Sequence, residues 1–397
     1  MTDVTLLAAD GSLRTHTVSP APDLVRPRRP LGARVAYAAA HVVPVTWAEN
    51  TPGSPARVDW DATLAFRHHV WSWGLGVADA MDTAQRNMGM DWAATTELIR
   101  RSGAEAASVG GDVVVGVNTD QLTDDVVPLE RVIDAYLEQL EVAEDAGVGV
   151  VLMASRHLAR AAQSGEDYER VYRAVLERAS RPVVLHWLGP AFDSVLTGYF
   201  GSEDVATASD TVVRIIEDNL AKVRGIKMSL LDADAEIAVR ARLPFGATLF
   251  TGDDFNYVGL IEGGQDADGE VRHSDALLGA FAAFAPNASA AIQALDADDV
   301  EAYRRILQPT EALARQVFAA PTQYYKTGVA FLSWLNGHQT AFAMVGGLHS
   351  ARSLPHLSEI VRLADEAGAL ERPELAAARW TGLLAVNGVD ALRTVLA

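Results

Sequence analysis

The chain has 397 residues, 49% hydrophobic and 21% charged, which is ample material for a large core and within the range of one barrel domain with additions. Its formal charge of −19 repels phosphate backbones, and the absence of cysteine excludes disulfides, thiolate metal sites and a cysteine nucleophile. No charged and then apolar leader opens the sequence, and no run approaches the ~20 apolar residues that span a bilayer. A soluble, cytoplasmic protein is expected, with neither nucleic acid nor a membrane as partner.

Val4 to Val18 alternates apolar and polar residues on both sides of Asp10-Gly11, which predicts a β-hairpin outside the main fold. The basic stretch Arg26-Pro27-Arg28-Arg29-Pro30 sits among prolines and reads as a connecting arm, so residues 1–33 form an N-terminal hairpin and arm. From Arg34 onward, short apolar runs alternate with longer stretches of helical period. Strands are expected at Val35 to His41, Gly76 to Asp82, Val113 to Asn118, Val148 to Ala154, Val183 to Trp187, Val223 to Met228, Thr248 to Gly252 and Ala276 to Ala283. Helices are expected between them at Thr63 to Trp73, Ala93 to Ala107, Leu129 to Ala146, Tyr168 to Ala179, Ala206 to Leu220 and Asp232 to Arg242. Breakers such as Gly110-Gly111, Gly147 and Pro182 precede several strands. The pattern predicts an α/β fold, a (β/α)8 TIM barrel over residues 34–310. A doubly wound sheet is the alternative, but no Gly-x-Gly-x-x-Gly opens a helix after the first strand. The loop Gly263 to His273 lacks the closing Glu of a calcium-binding loop and reads as polar surface. After Asp296 helical segments recur near Asp298 to Ala319, Thr327 to Leu335, Leu354 to Ala367 and Pro373 to Val386. Residues 311–397 are therefore read as a helical C-terminal extension, available for a subunit contact or for covering the site.

In a barrel the reacting groups come from the C-terminal strand ends. Those ends carry His41, Asp82 with Thr83, Asn118, His186, Lys227 with Ser229, and Asp253-Asp254. Polar groups recurring at one end of buried strands are costly unless they face a cavity or one another. The bland readings are that a strand-end histidine is a hydrogen-bonded core residue and that Asp82, Asp253 or Asp254 caps a helix. Lys227, in Gly225-Ile226-Lys227-Met228-Ser229, ends an apolar strand, where desolvation favours the neutral amine that attacks a carbonyl. Lys326 belongs to the extension, where a lysine faces solvent or a neighbouring acid, and is not expected to be the nucleophile.

Val223-Arg224-Gly225-Ile226-Lys227-Met228-Ser229 resembles the Schiff-base strand of the dihydrodipicolinate synthase and N-acetylneuraminate lyase superfamily. Arg181 to Pro190, Val58-Asp59-Trp60 and Phe250 to Asp254 are similar to further segments of it, and the resemblance spans residues 34–310. Nearly the whole chain is also similar to the domain-of-unknown-function 993 family, through His186-Trp187-Leu188-Gly189, Gly252 to Tyr257 and Tyr325 to Val329. The resemblance implies a class I aldolase, lyase or dehydratase that needs no external cofactor, with Lys227 as the imine-forming nucleophile. The strand that carries the superfamily's proton-shuttling tyrosine has His186 instead, which implies an imidazole acid/base. Met81-Asp82-Thr83-Ala84-Gln85 replaces its carboxylate-binding segment, and Met153 to His157 replaces its Pro-Tyr-Tyr. These departures make pyruvate condensation an improbable activity and favour a keto or sugar-derived substrate. His41, Asp82, Thr83, Asn118, Ser229, Asp253 and Asp254 would then bind it. Family members are commonly dimers or tetramers, which implies a homo-oligomer. The rival class is a metal-dependent sugar isomerase, epimerase or lyase, with His41, Asp82, His186 and Asp253 or Asp254 on a divalent ion. A non-catalytic sugar sensor is the third.

Overall fold

The computed structural model describes residues 2–266 and 269–389. Strands β1 (Thr2–Leu7) and β2 (Leu13–Val18) form an antiparallel hairpin in the register Thr2 to Val18 and Leu7 to Leu13. Then come β3 (Ala36–Ala39), α1 (Trp60–Ser72), β4 (Gly76–Asp79), α2 (Trp92–Val109), β5 (Val113–Val117), α3 (Leu129–Asp145) and β6 (Gly149–Leu152). The chain continues through α4 (Arg156–Ala161), α5 (Gly165–Arg178), β7 (Val183–Leu188), α6 (Val205–Asp218), β8 (Val223–Ser229), α7 (Ala233–Arg242), β9 (Thr248–Thr251) and α8 (Tyr257–Glu262). A two-residue ladder, β10 (Gly264–Gln265) with β11 (Val271–Arg272), precedes β12 (Asp275–Leu278) and α9 (Ala285–Asp296). It lies within the expected surface loop, of which residues 267 and 268 fall outside the described part. The last helices are α10 (Val300–Val317), α11 (Tyr325–Leu335), α12 (Leu354–Glu366) and α13 (Pro373–Val386).

Strands β3 to β9 and β12 close an all-parallel barrel, with β12 pairing both β9 and β3. All eight strands coincide with expected segments, because a strand covered on both faces needs a continuous apolar run. Several expectations ran long: β3 ends at Ala39, β4 at Asp79 and β12 at Leu278. Asp82 accordingly lies in a 3-10 turn, Asp82–Ala84, beyond its strand. Helix starts use the short acidic side chains that accept an orphan backbone N–H. Asp59, Asp91, Asp204, Asp232 and Asp299 each accept from the residue three places on.

Inside the barrel Tyr37, Val114, Val151, Val184, Phe250 and Leu277 form a packed apolar layer. Below it, the Tyr37 hydroxyl donates to Asp112 at 2.7 Å and accepts from Arg224 at 2.9 Å. That polar plug closes the N-terminal end and leaves the opposite end for chemistry. The hairpin docks on the last helices: Leu7 N donates to Ser358 Oγ at 2.8 Å and Trp380 Nε1 to the Thr5 carbonyl at 2.7 Å. The arm lies over the end of α1, with Arg26 stacked on Trp73. The drawn limit between barrel and extension, residue 310, falls inside α10. No described helix is long and apolar enough to cross a membrane.

Candidate active site

Strand β8 pairs with β7 so that His186 stands beside Lys227 and Leu188 beside Ser229. Val184 belongs to the interior layer and pairs with Gly225; side chains alternate along a strand, so Lys227 and Ser229 face the barrel interior too. The stem of Lys227 fits because residue 252 is glycine. A Cβ there would lie 2.7 Å from Lys227 Cε and 2.2 Å from Ser229 Oγ.

Lys227 opens into a small chamber of about 10 Å³, room for about one water. Ser229, Asp254, Asp82 and Thr83 line it with the ring of Tyr325. Its roof is aromatic. Phe318 stacks on Tyr325 with centroids 4.3 Å apart, and Phe192 meets Tyr325 edge-on at 6.1 Å. Phe318 and Tyr325 come from the extension, and Gly279 lets them descend, since a Cβ there would meet Phe318 at 2.9 Å and Tyr325 at 3.1 Å. The Tyr325 hydroxyl is hydrogen-bonded to Thr83 Oγ1 at 2.8 Å.

Burial lowers the pKa of the Lys227 amine, against the opposing pull of Asp254 and Asp82. Burial pushes Asp254 up to about 7, although its carboxylate accepts from Ala280 N at 2.8 Å and feels the charge of Lys227. Both shifts favour the uncharged pair, a free amine facing a carboxylic acid. The Tyr325 phenol, also pushed well up by burial, keeps its proton.

Above the roof lies an open cleft of about 580 Å³ that shares Asp82, Leu188, Phe192 and Tyr325 with the chamber. Asn118 and His157 line it, as do three arginines. Lys326 does so as well, 3% exposed rather than facing solvent as its place in the extension suggested. The extension thus supplies Phe318, Tyr325 and Lys326 to the mouth, three residues that strand-end reasoning misses. The one signal in the sequence is the near-continuous apolar run Val329 to Leu335, which marks α11 as a helix covered on every side, as all eleven of its residues are.

Of the residues expected at the site, Lys227, Ser229, Asp82, Thr83 and Asp254 meet at the chamber, and Asn118 lies in the outer cleft. Three do not line either space. His186 is fully buried beneath the chamber, its Nε2 3.3 Å from Ser229 Oγ, and burial together with Lys227 holds its pKa well below the ordinary value. His41 turns outward because β3 has already ended; it packs edge-on against Phe66 at 4.5 Å and bonds Gln339 Oε1 at 3.0 Å. Asp253 closes the turn ahead of α8 instead of capping the helix: one oxygen accepts from Phe255 N and Asn256 N, the other from the Asn256 side chain. Of the divalent-ion set His41, Asp82, His186 and Asp253 or Asp254, Asp82 and Asp254 line the chamber while both histidines lie outside it, and the ligand atoms of the set do not converge. Among the described residues, the histidine and acidic ligand atoms that converge are those of His69, His338 and Glu371. There His338 Nε2 lies 2.7 Å from Glu371, and His69 of α1 lies 3.5 Å from the same carboxylate, tying the extension to the flank of α1.

The closed parallel barrel with its flanking helices is a fold shared with dihydrodipicolinate synthase-like proteins, whose solved structures superpose on it. The Thermotoga maritima dihydrodipicolinate synthase matches with a TM-score of 0.61 at 15% identity, covering 85% of this chain and 100% of its own. The Aquifex aeolicus enzyme matches at 0.61 and 12% identity, over 85% and 99%. The Acinetobacter baumannii enzyme, solved in complex with pyruvate, matches at 0.60 and 14% identity, over 85% and 100%. At such identities the likeness is one of fold. Residues 4–389 match the family described as a protein of unknown function, DUF993, and the chain belongs to that family. No curated protein matches the sequence.

Proposed function

We propose that this protein is a class I, Schiff-base lyase, an aldolase or a dehydratase, acting on a keto or sugar-derived small molecule. The observation that carries the reading is the Lys227 amine enclosed at the C-terminal end of β8 opposite a carboxyl group, Asp254, whose pKa burial raises to about 7, so that a substantial share of it holds a proton near neutrality. The free amine attacks the substrate carbonyl carbon while Asp254 protonates the carbonyl oxygen, giving a carbinolamine. That oxygen leaves as water, and the protonated imine remains. The imine accepts the electron pair of the C–C bond that breaks, or of the α C–H bond whose proton leaves ahead of a hydroxyl group. Hydrolysis returns the amine. No external cofactor enters this sequence.

The Tyr325 and Thr83 hydroxyls lie where they can pass protons at the substrate, and Asp82 and Asn118 where they can accept from its hydroxyl groups. His186 acts through Ser229, whose hydroxyl lines the chamber and can hand a proton on to the neutral imidazole. His186→Phe should lower turnover about 10²- to 10⁴-fold while leaving imine formation partly intact. Near-unchanged turnover would remove His186 from the relay.

The deciding experiment is borohydride trapping with sugar-derived ketones, read by intact mass. The wild type should gain the mass of the reduced adduct, mapped to Lys227, and Lys227→Ala should not. An adduct on another lysine would overturn the assignment. Turnover that survives Lys227→Ala and requires an added divalent ion would favour the metal-dependent isomerase reading.

A further inference from the structure

The cleft above the chamber carries four lysine or arginine side chains, and three of them are already neutralised. Arg86 pairs with Asp120, Arg156 with Asp193, and Arg160 with Asp125 at 2.9 Å. Lys326 differs. It is 3% exposed, and among the described residues its amine donates to the thioether of Met88 alone, at 3.2 Å, and lies 5.1 Å from the centroid of the Tyr325 ring. Among the described residues no carboxylate lies within ion-pair distance of it. A thioether is a weak acceptor, so a buried ammonium in this setting lacks most of the hydrogen bonds it would have in water. Its position adds to this. Lys326 sits in the first turn of the eleven-residue α11, next to Tyr325, whose ring belongs to the wall between cleft and chamber. The first-turn N–H groups of a helix favour negative charge. Asp82 and Tyr325 line both spaces, with Lys326 on the cleft side and Lys227 on the chamber side, so the two lysines flank one path from the cleft to the chamber.

We propose that Lys326 is an anion subsite that binds a carboxylate on the substrate, at the end remote from the carbonyl that reaches Lys227. A carboxylate matches the site better than a phosphate does, because a single unpaired cation faces it and Asp82 and Asp193 stand near enough to repel a dianion. The inference rests on the Schiff-base reading and narrows its substrates to keto acids. Lys326 is then the residue that selects acids over neutral ketones of the same length, through one charge-assisted hydrogen bond.

The test uses 4-oxopentanoate and its amide, which differ in charge and hardly in shape. Binding is measured by titration calorimetry to Lys227→Met, which forms no imine. The acid should bind about tenfold or more tightly than the amide, a difference of about 1.4 kcal/mol. The preference should vanish in Lys227→Met/Lys326→Met and persist in Lys227→Met/Lys326→Arg, which keeps the charge. Equal binding of acid and amide, no binding of the acid, or a preference that survives Lys326→Met would each overturn the proposal. Imine formation is read separately by borohydride trapping on the wild type. If the acid preference is present and no adduct forms on Lys227, the Schiff-base reading fails and the anion subsite stands.

Discussion

Lys227 and Asp254 both line the chamber, and their mutual influence sets its pH behaviour. Burial lowers the amine's pKa, while the negative charges of Asp254 and Asp82 raise it. Asp254→Asn removes one of the raising causes and leaves the desolvation in place. The amine should then become neutral at lower pH, and the acid limb of borohydride trapping should move to lower pH. Turnover should fall about 10²- to 10⁴-fold, because the acid that protonates the carbonyl oxygen is gone. A limb that stays in place or moves to higher pH would show that Asp254 does not act on Lys227. At this scale the lysine was readable from its apolar neighbours, and Ser229 from its place two residues on along the same strand. The roles of the two adjacent aspartates were not readable. Asp253 turns back onto the backbone N–H groups of residues 255 and 256, and Asp254 reaches the chamber, a choice made by local loop geometry.

Two glycines without side chains let the elements close around the lysine. At Gly252 in the turn after β9, a methyl group would stand 2.2 Å from Ser229 Oγ and 2.7 Å from Lys227 Cε, far inside contact distance. Gly252→Ala should cost about 1–3 kcal/mol by overpacking and displace the lysine stem. The expected result is a folded barrel by circular dichroism with imine trapping much reduced; trapping at the wild-type level would mean that the turn yields instead. Strand positions were legible because both faces are buried, so each strand is one apolar run. Strand ends were less so. Ala80 and Met81 stay buried after β4 has stopped, and Ala80 takes a left-handed φ of 49°, which turns the chain toward the mouth. Composition does not signal that bend. The six-residue α8 and the alanine-rich α9 likewise offer no amphipathic period to read.

Across the whole molecule, the extension and the hairpin form one layer against the barrel, and burial there and beneath the helices creates a pH-dependent stability. Glu236 on α7 accepts hydroxyl bonds from Thr251 at 2.9 Å and Ser274 at 2.8 Å, and burial pushes its pKa from 4.5 up to about 8. The folded value lies above the unfolded one, so this contribution is complete below the unfolded pKa and is lost as pH rises through the folded one. Glu236→Gln, which never ionises, should show a smaller fall in melting temperature between about pH 5 and 8 than the wild type. An equal fall in both would place the pH sensitivity elsewhere.

The sequence by itself determined the barrel, the hairpin, the helical extension and the lysine at the end of β8, because these depend on periodicity and on which short runs are apolar. Tertiary structure decided what surrounds that lysine. Tyr325 meets Thr83 across 242 positions of chain, and His41, expected at the mouth, meets Gln339 across 298. Whether a polar side chain faces a cavity, caps a turn or pairs with a distant helix depends on how the extension lies on the barrel. Contacts so remote along the chain leave no local pattern, and so the wall of the chamber and the unpaired Lys326 above it emerge only when the chain is folded.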